Sequence, residues 1–414
     1  MDTYKDIPDE QEYRMPLYTS LTTRIKYVDT SAFKKIRKGA PNKVISLFSG
    51  AGGLDIGLEK AGFDTAVCIE IDADCRETLK FNRKEWTVLD DATDRDPGDI
   101  RKIDVQEILN AASLKRGQAA IVCGGAPCQP FSNIGKKQGK HDPRNGDLFL
   151  EFVRVVSGVL PKAFIFENVA GIKQARHSDV IDFMEKKFQE IGYSVSGKIL
   201  NSCDYGIGQK RERFFMIGLH GSEAPAFPFP THSVNDVEWS KFLSDLDIQP
   251  NVKPKKWETV KQVFQKLEKL DLDKSDDVKM NISDVVVERM KHIGPGENFK
   301  VLPMELRPNC WKTGKHQGHD TFGRIEADKP SPTIRTAAYN PSKGKYIHPF
   351  ENRGLSSHEM AAIQDFPATW KFKSVNRAKP TLVSVGKQIG NAVPPGLAEA
   401  IGKALAMQMD SVSR

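Results

Sequence analysis

Four groups of residues in this chain have types and spacing that could do chemistry together. They are Cys128 within GGAPCQPFS (124–132), Glu167 within FENV (166–169), Arg211 and Arg213 within QKRER (209–213), and the glycine-rich FSGAGG (48–53) with Glu70. A cysteine on a proline-flanked loop can act as a nucleophile, but near neutral pH only a few per cent of a free thiol is ionised, so it needs neighbours that lower its pKa. A carboxyl group raised by partial burial can donate to a ring nitrogen. Planar guanidinium groups suit a carbonyl oxygen or a phosphate. Glycines between a strand and a helix let a ligand approach the backbone, and the helix start favours negative charge. Glu70, 20 residues beyond Gly50, can hold ribose hydroxyls. The glycine loop alone says adenosine-containing cofactor, and its Gly-x-Gly-Gly spacing departs from the dinucleotide pattern G-x-G-x-x-G. A lone cysteine is more often a small buried hydrophobe, and a lone charge an ion pair or a solvated edge. Four such elements in this order outweigh those readings.

The elements that must position them follow from periodicity. From Lys43 short β-branched runs alternate with helical stripes, the pattern of a parallel sheet with crossover helices. Strands are expected at Val44–Phe48, Thr65–Ile71, Ala119–Gly124, Ala163–Glu167 and Arg213–Leu219, so each chemical group falls at a strand end. Leu54, Leu58 and Ala61 share one helical face, with Gly62 to stop the helix. Phe149, Phe152, Val156 and Val159 form a second stripe, and Val180, Met184, Phe188 and Ile191 a third, with Ser178 as N-cap and Gly192 past its end. Arginines spaced by two in a strand share a side, so Arg211 and Arg213 are expected to face one pocket.

The alternation divides the 414 residues into an extension (1–42), a catalytic and cofactor-binding domain (43–221), a smaller domain (222–325) and a segment returning to the first (326–414). The extension carries the basic stretch Lys34, Lys35, Arg37 and Lys38. The texture breaks at PAFPFPTHS, and Gly396–Met409 reads as the returning helix. A net charge of +7 fits a polyanionic partner. No apolar run approaches the length of a bilayer span, and the six cysteines include no CxxC pair, which together suggest a reduced, intracellular protein. Cys310 with His316 and His319 lacks a fourth ligand, so no metal is expected.

Taken together, LFSGAGGLDIGLEKAG, Glu70, Asp90-Asp91-Ala92, GGAPCQPFSNIGKKQG, FENV, DYGIGQKRERFFMIG, Arg324 with PSPTI, and KQIGNAVPP resemble the ordered motifs of the DNA cytosine-5 methyltransferase family of bacterial modification enzymes. The resemblance runs from Ile45 to Pro395, apart from most of 222–320. It implies an α/β fold, a Rossmann-like S-adenosylmethionine-dependent methyltransferase sheet with helices on both faces, plus a smaller target-recognition domain. It implies that Cys128 attacks carbon 6 of a cytosine flipped out of double-stranded DNA. Glu167 would bind ring N3 and the exocyclic amine, Arg213 the ring O2, and Arg211 would support the cysteine loop and a nearby phosphate. Gln129, Ser132, Lys136 and Gln209 would also meet substrate. Phe48, Gly50, Gly52, Gly53 and Leu54 would line the S-adenosylmethionine pocket, with Glu70 on the ribose and Ile71 against the adenine. Asp91 would accept from the adenine amine beside Ala92, and Pro127, Leu148, Asn391 and Val393 would complete the pocket.

By composition Ser132–Gly146, with Lys136, Lys137, Lys140 and Arg144, is a mobile basic loop, and by resemblance a lid over DNA. Residues 222–325 should read bases in the major groove, with Lys253, Lys255, Lys256 and Trp257 as candidates for phosphate contact and packing. The expected setting is a cytoplasmic, monomeric, sequence-specific enzyme whose functional partner is a cognate restriction endonuclease. Three other readings compete: a transfer-RNA methyltransferase of the same fold, an inactive DNA-binding relative, and a nicotinamide oxidoreductase. The long segment 222–320 opposes the first, the intact Cys128, Glu167, Arg211 and Arg213 the second, and the glycine spacing with the Pro-Cys loop the third.

Overall fold

The computed structural model describes residues 25–90, 97–127, 148–173, 178–244, 246, 253–312, 318 and 320–412. Seven strands make the central sheet: β1 (Lys43–Leu47), β2 (Asp64–Ile69), β3 (Thr87–Leu89), β4 (Ile121–Gly124), β5 (Ala163–Val169), β6 (Tyr193–Asn201) and β7 (Glu212–His220). Their spatial order is β3-β2-β1-β4-β5-β7-β6, and only β7 runs against its neighbours.

Runs such as KVISL and AFIFENV are almost continuously apolar because both faces of the sheet are covered. Strand alternation then sorts them. Ile45, Leu47, Val122, Phe164 and Phe166 enter one core, and Val44, Ile121, Cys123, Ala163 and Ile165 the other. The first face is closed by α3 (Val105–Ala111), α4 (Leu148–Val159) and α5 (Ser178–Glu190), and the expected stripes of α4 and α5 lie in that core. The second is closed by α1 (Gly53–Lys60), α6 (Asp236–Ser244) and α12 (Pro395–Val412), so the last helix does return to the sheet.

A third core joins α2 (Ala73–Asn82), α7 (Val260–Glu268), α10 (Ser357–Ile363) and α11 (Leu382–Asn391). A small fourth core holds Met290 of α8 (Asp284–Lys291), Trp311 of α9 (Asn309–Lys312), Phe299, Phe322 and Ile347. Among the described residues no helix is long and apolar enough to cross a membrane.

Register decides where the site lies. Leu47 pairs with Ile69 on one side and Gly124 on the other, and Gly124 pairs with Phe166. The segments after β1, β2, β4 and β5 therefore emerge side by side, where the chain winds outward in both directions from β1. Ligands bind at such a crevice in open α/β sheets.

Two features were not anticipated. Strand β6, YSVSGKILN, does not read as a buried strand, yet all but Ser194 is buried. Its Lys198 is buried with Nζ 4.2 Å from the Tyr27 ring centroid and 5.7 Å from that of Phe242. Residues from the N-terminal extension thus cover that face. Tyr27–Val28 also pairs in parallel with Phe227–Pro228.

Candidate active site

The cofactor half is built at the ends of β1 and β2. Phe48 and Gly50 adopt left-handed backbone conformations, φ 53° and 55°, as does Gly52 at φ 83°. For phenylalanine that conformation costs on the order of 1 kcal/mol or more, a strain that usually persists only at functional turns. The turn aims the Gly50 N–H at Glu70, donating to Oε2 at 2.7 Å, while Asp72 N–H donates to Oε1 at 2.7 Å. Burial pushes the Glu70 carboxyl up, and these two amides oppose that shift. Next to this fixed carboxylate stands Ile71, an apolar side chain left 57% exposed. A buried carboxylate beside a bare apolar face suits a ribose diol joined to an adenine, so these residues fit an adenosine-containing cofactor. At Gly53 a Cβ would lie 2.3 Å from the Val393 carbonyl oxygen, which brings the KQIGNAVPP segment against the loop.

The substrate half lies at the end of β5 and the start of β7, where Val169 pairs with Arg213. Arg213 Nε is 3.1 Å from Glu167 Oε1, and 15% and 12% of the two side chains remain exposed, so an incoming group can reach both. Burial raises the Glu167 carboxyl while Arg213 and then Arg211 pull it down. Burial lowers Arg213, opposed by Glu167. The loop that leads to Cys128 passes directly over this pair. A Cβ on Gly125 would sit 2.5 Å from Glu167 Oε2, and Asn168 Nδ2 donates to Ala126 O at 2.9 Å.

Three residues expected at the site turn their side chains inward. Arg211 lies near enough to Glu167 and Arg213 to feel both charges, but it precedes β7 and is 1% exposed. Its Nη1 donates to Ile334 O at 3.0 Å and its Nη2 to Gly390 O at 2.8 Å, away from any phosphate outside. Burial, with repulsion from Arg213, pulls it down to about 9. Gln209, expected at substrate, is fully buried; it accepts from Ile334 N at 2.8 Å and donates to Gln364 Oε1 at 2.6 Å. Leu54, expected in the cofactor pocket, turns its side chain into the core shared by α1 and α12. In each case the interior offers a partner that solvent does not.

Phe48 and Leu148 are partly buried at the rim of the first core, while Pro127 and Asn391 stay exposed. Asp91, Ala92, Cys128, Gln129, Ser132 and Lys136 lie outside the described residues, as do His316 and His319. Sequence reading missed Arg76, whose Nη1 donates to the carbonyls of Glu70, Ile71 and Pro97 and so fixes the strand end that carries Glu70. Only its place in the helix after Glu70 hinted at this. It also missed Asn168, whose one signal was adjacency to Glu167.

A family model described as C-5 cytosine-specific DNA methylase matches residues 42–407. The chain is 32% identical over 412 residues to the type II methyltransferase M.Sau96I of Staphylococcus aureus, covering 97% of this chain and 84% of that protein. It is 33% identical over 366 residues to the type II methyltransferase M.FnuDI of Fusobacterium nucleatum, covering 87% and 93%. Among solved structures, the Schizosaccharomyces pombe Dnmt2 methyltransferase superposes with a TM-score of 0.56 at 15% identity, over 90% of this chain and 99% of that one, a likeness of fold.

Proposed function

This chain belongs to the C-5 cytosine-specific DNA methylase family, and from that premise we propose how its residues carry the reaction. It is a DNA cytosine-5 methyltransferase that uses S-adenosylmethionine. The cofactor supplies an electrophilic methyl group. Glu70 would hold its ribose hydroxyls and Ile71 would pack on the adenine, with Asp91 and Ala92, outside the described residues, proposed to complete the adenine site. The strained turn at Phe48, Gly50, Gly52 and Gly53 receives the rest, flanked by Pro127, Leu148, Asn391 and Val393.

Carbon 5 of cytosine is a poor nucleophile, and the remaining residues answer that problem. Cys128 Sγ adds to carbon 6 of a cytosine swung out of the duplex, and Glu167 delivers a proton to ring N3 as the C–S bond forms. The ring becomes an enamine whose carbon 5 can attack the methyl group. Arg213 holds O2 throughout. Loss of the carbon 5 proton to solvent, departure of the thiolate and return of the N3 proton to the Glu167 carboxylate restore the aromatic ring and free the enzyme. Arg211 and Gln209 position this pair from behind by fastening β7 to 334 and 390. The observation that carries the reading is the Glu167–Arg213 pair beneath the Gly125–Ala126 strand end that leads to Cys128.

Relatives such as M.Sau96I are named type II methyltransferases. We take this chain, likewise, as the modification enzyme of a restriction–modification system. It acts as a monomer in the cytoplasm, its recognition domain lies within 222–325, and a restriction endonuclease is its functional partner. Incubation with S-adenosylmethionine and unmethylated plasmid, followed by bisulfite sequencing, tests this. Protection of one base in a short recurring motif is expected. Protected cytosines in transfer RNA alone would overturn it.

A further inference from the structure

Beside the catalytic edge lies a groove of about 560 Å³ between α7 and the short parallel pairing of His232–Ser233 with Lys255–Lys256. His232, Lys255, Lys256, Glu258, Lys266 and Lys269 line it with two glutamines, so four lysines face one carboxylate. Elsewhere among the described residues some exposed lysines are ion-paired, as Lys26 is with Glu223, Lys187 with Glu190 and Lys291 with Glu288, and others such as Lys115 and Lys162 stand alone. What sets the groove apart is that its lysines converge on one concave surface. In the groove only Lys266 has such a partner, Glu258. Lys255, Lys256 and Lys269 are exposed and have no acidic partner among the described residues. The uncompensated charge is felt by its neighbour: burial, then Lys255 and Lys266, hold His232 below its ordinary value.

The groove is tied to the reacting centre. The His232 ring is so close to Gly206 that a Cβ there would lie 2.6 Å from Cε1. Gly206 ends the turn joining β6 to β7, and β7 carries Arg213 at its start. Lys210, within that connection, holds its Nζ 5.5 Å above the ring of Trp257, and Trp257 Nε1 donates to Asp204 at 3.1 Å. This buried tryptophan is a strut that ties Lys256, next to it in sequence, to the segment leading into β7. Ammonium groups on flexible stems suit phosphates as point charges and carry no base-reading geometry.

We propose that this groove grips the phosphodiester backbone of duplex DNA flanking the target base pair. The assignment rests on the reading of the chain as a DNA methyltransferase.

The test uses the full chain with Lys255→Gln, Lys256→Gln and Lys269→Gln combined. Fluorescence anisotropy follows binding to a labelled random-sequence duplex over a salt series. Each lost phosphate contact removes about 0.9 from the slope of log K against log salt, so a drop of about 2.7 is expected. Exposed Lys115 and Lys162 precede β4 and β5 at the opposite edge of the sheet, so Lys115→Gln with Lys162→Gln should change the slope by less than about 0.5. An unchanged slope in the triple variant, or an equal loss per charge in the control, overturns the proposal. A fall seen with transfer RNA and not with duplex overturns it too and makes the groove an RNA site. Plasmid methylation by the unaltered chain separates the two readings. Methylation with an unchanged slope sinks only the groove. Without methylation, a slope drop still assigns DNA to the groove while the enzymatic reading falls.

Discussion

Arg213 Nε lies 3.1 Å from Glu167 Oε1, so the guanidinium proposed for cytosine O2 already holds the carboxyl proposed for ring N3. Neighbouring atoms of one cytosine edge can bridge such a pair without moving either backbone. Burial that raises Glu167 and lowers Arg213 means both charges are held in the site at a cost that an arriving base can relieve.

Glu167→Gln keeps the size and removes the transferable proton. Its kcat should fall by about 10²–10⁴, the usual range for losing a general acid. In the unaltered enzyme the reactive form is the protonated carboxyl, so kcat should decline as pH rises through the raised Glu167 value, and the glutamine variant should lack that decline. Single-turnover methyl transfer across pH checks both. Cys128→Ala should abolish turnover yet retain DNA in a mobility-shift assay; near-normal turnover would exclude the covalent step.

Arg211→Ala should act chiefly on the fold. The side chain is buried and its two donated hydrogen bonds span 123 and 179 residues of sequence. Losing a charged hydrogen bond costs about 1.5–3 kcal/mol, so a loss of roughly 3 kcal/mol is expected in urea unfolding. Arg211→Lys should recover little of it, because one ammonium cannot reproduce the planar fork that meets both carbonyls.

Glu70→Ala removes the acceptor for Gly50 N–H and Asp72 N–H together with the proposed ribose contact. Cofactor affinity by calorimetry should fall at least about tenfold, the equivalent of roughly 1.4 kcal/mol. Unchanged affinity would place the ribose elsewhere.

Asp55, fully buried in α1, is raised from 3.8 to about 6, chiefly by burial, with Thr65 Oγ1 donating to it at 3.4 Å. A carboxyl raised in the folded state favours the protonated form. Its contribution is therefore complete below 3.8 and is lost as pH rises through about 6, a change of roughly 3 kcal/mol. Asp55→Asn should flatten stability between those values and stabilise the chain at pH 8 by about 1–2 kcal/mol. Urea unfolding at several pH values is the measurement, and a parallel pH profile in the two proteins would reject it.

The strands that bring Glu70, Glu167 and Arg213 to one crevice were legible in the sequence, because alternation, helical stripes and turn glycines are local signals. Cofactor-loop geometry followed from FSGAGG, and the stripes of α4 and α5 from their spacing. Tertiary structure alone decided which polar groups stay open to the crevice and which turn inward. Arg211 and Arg213 are two residues apart in the same motif, yet one meets carbonyls at 334 and 390 and the other meets Glu167. The same holds for β6, whose lysine is acceptable in a covered strand because the rings of Tyr27 and Phe242 enclose it and the Asp204 carboxylate offsets part of its burial. The physical reason is common to both: a polar side chain goes where its lost hydration is replaced, and the partners that replace it here lie over a hundred residues away in sequence or in another element, beyond the reach of any local pattern.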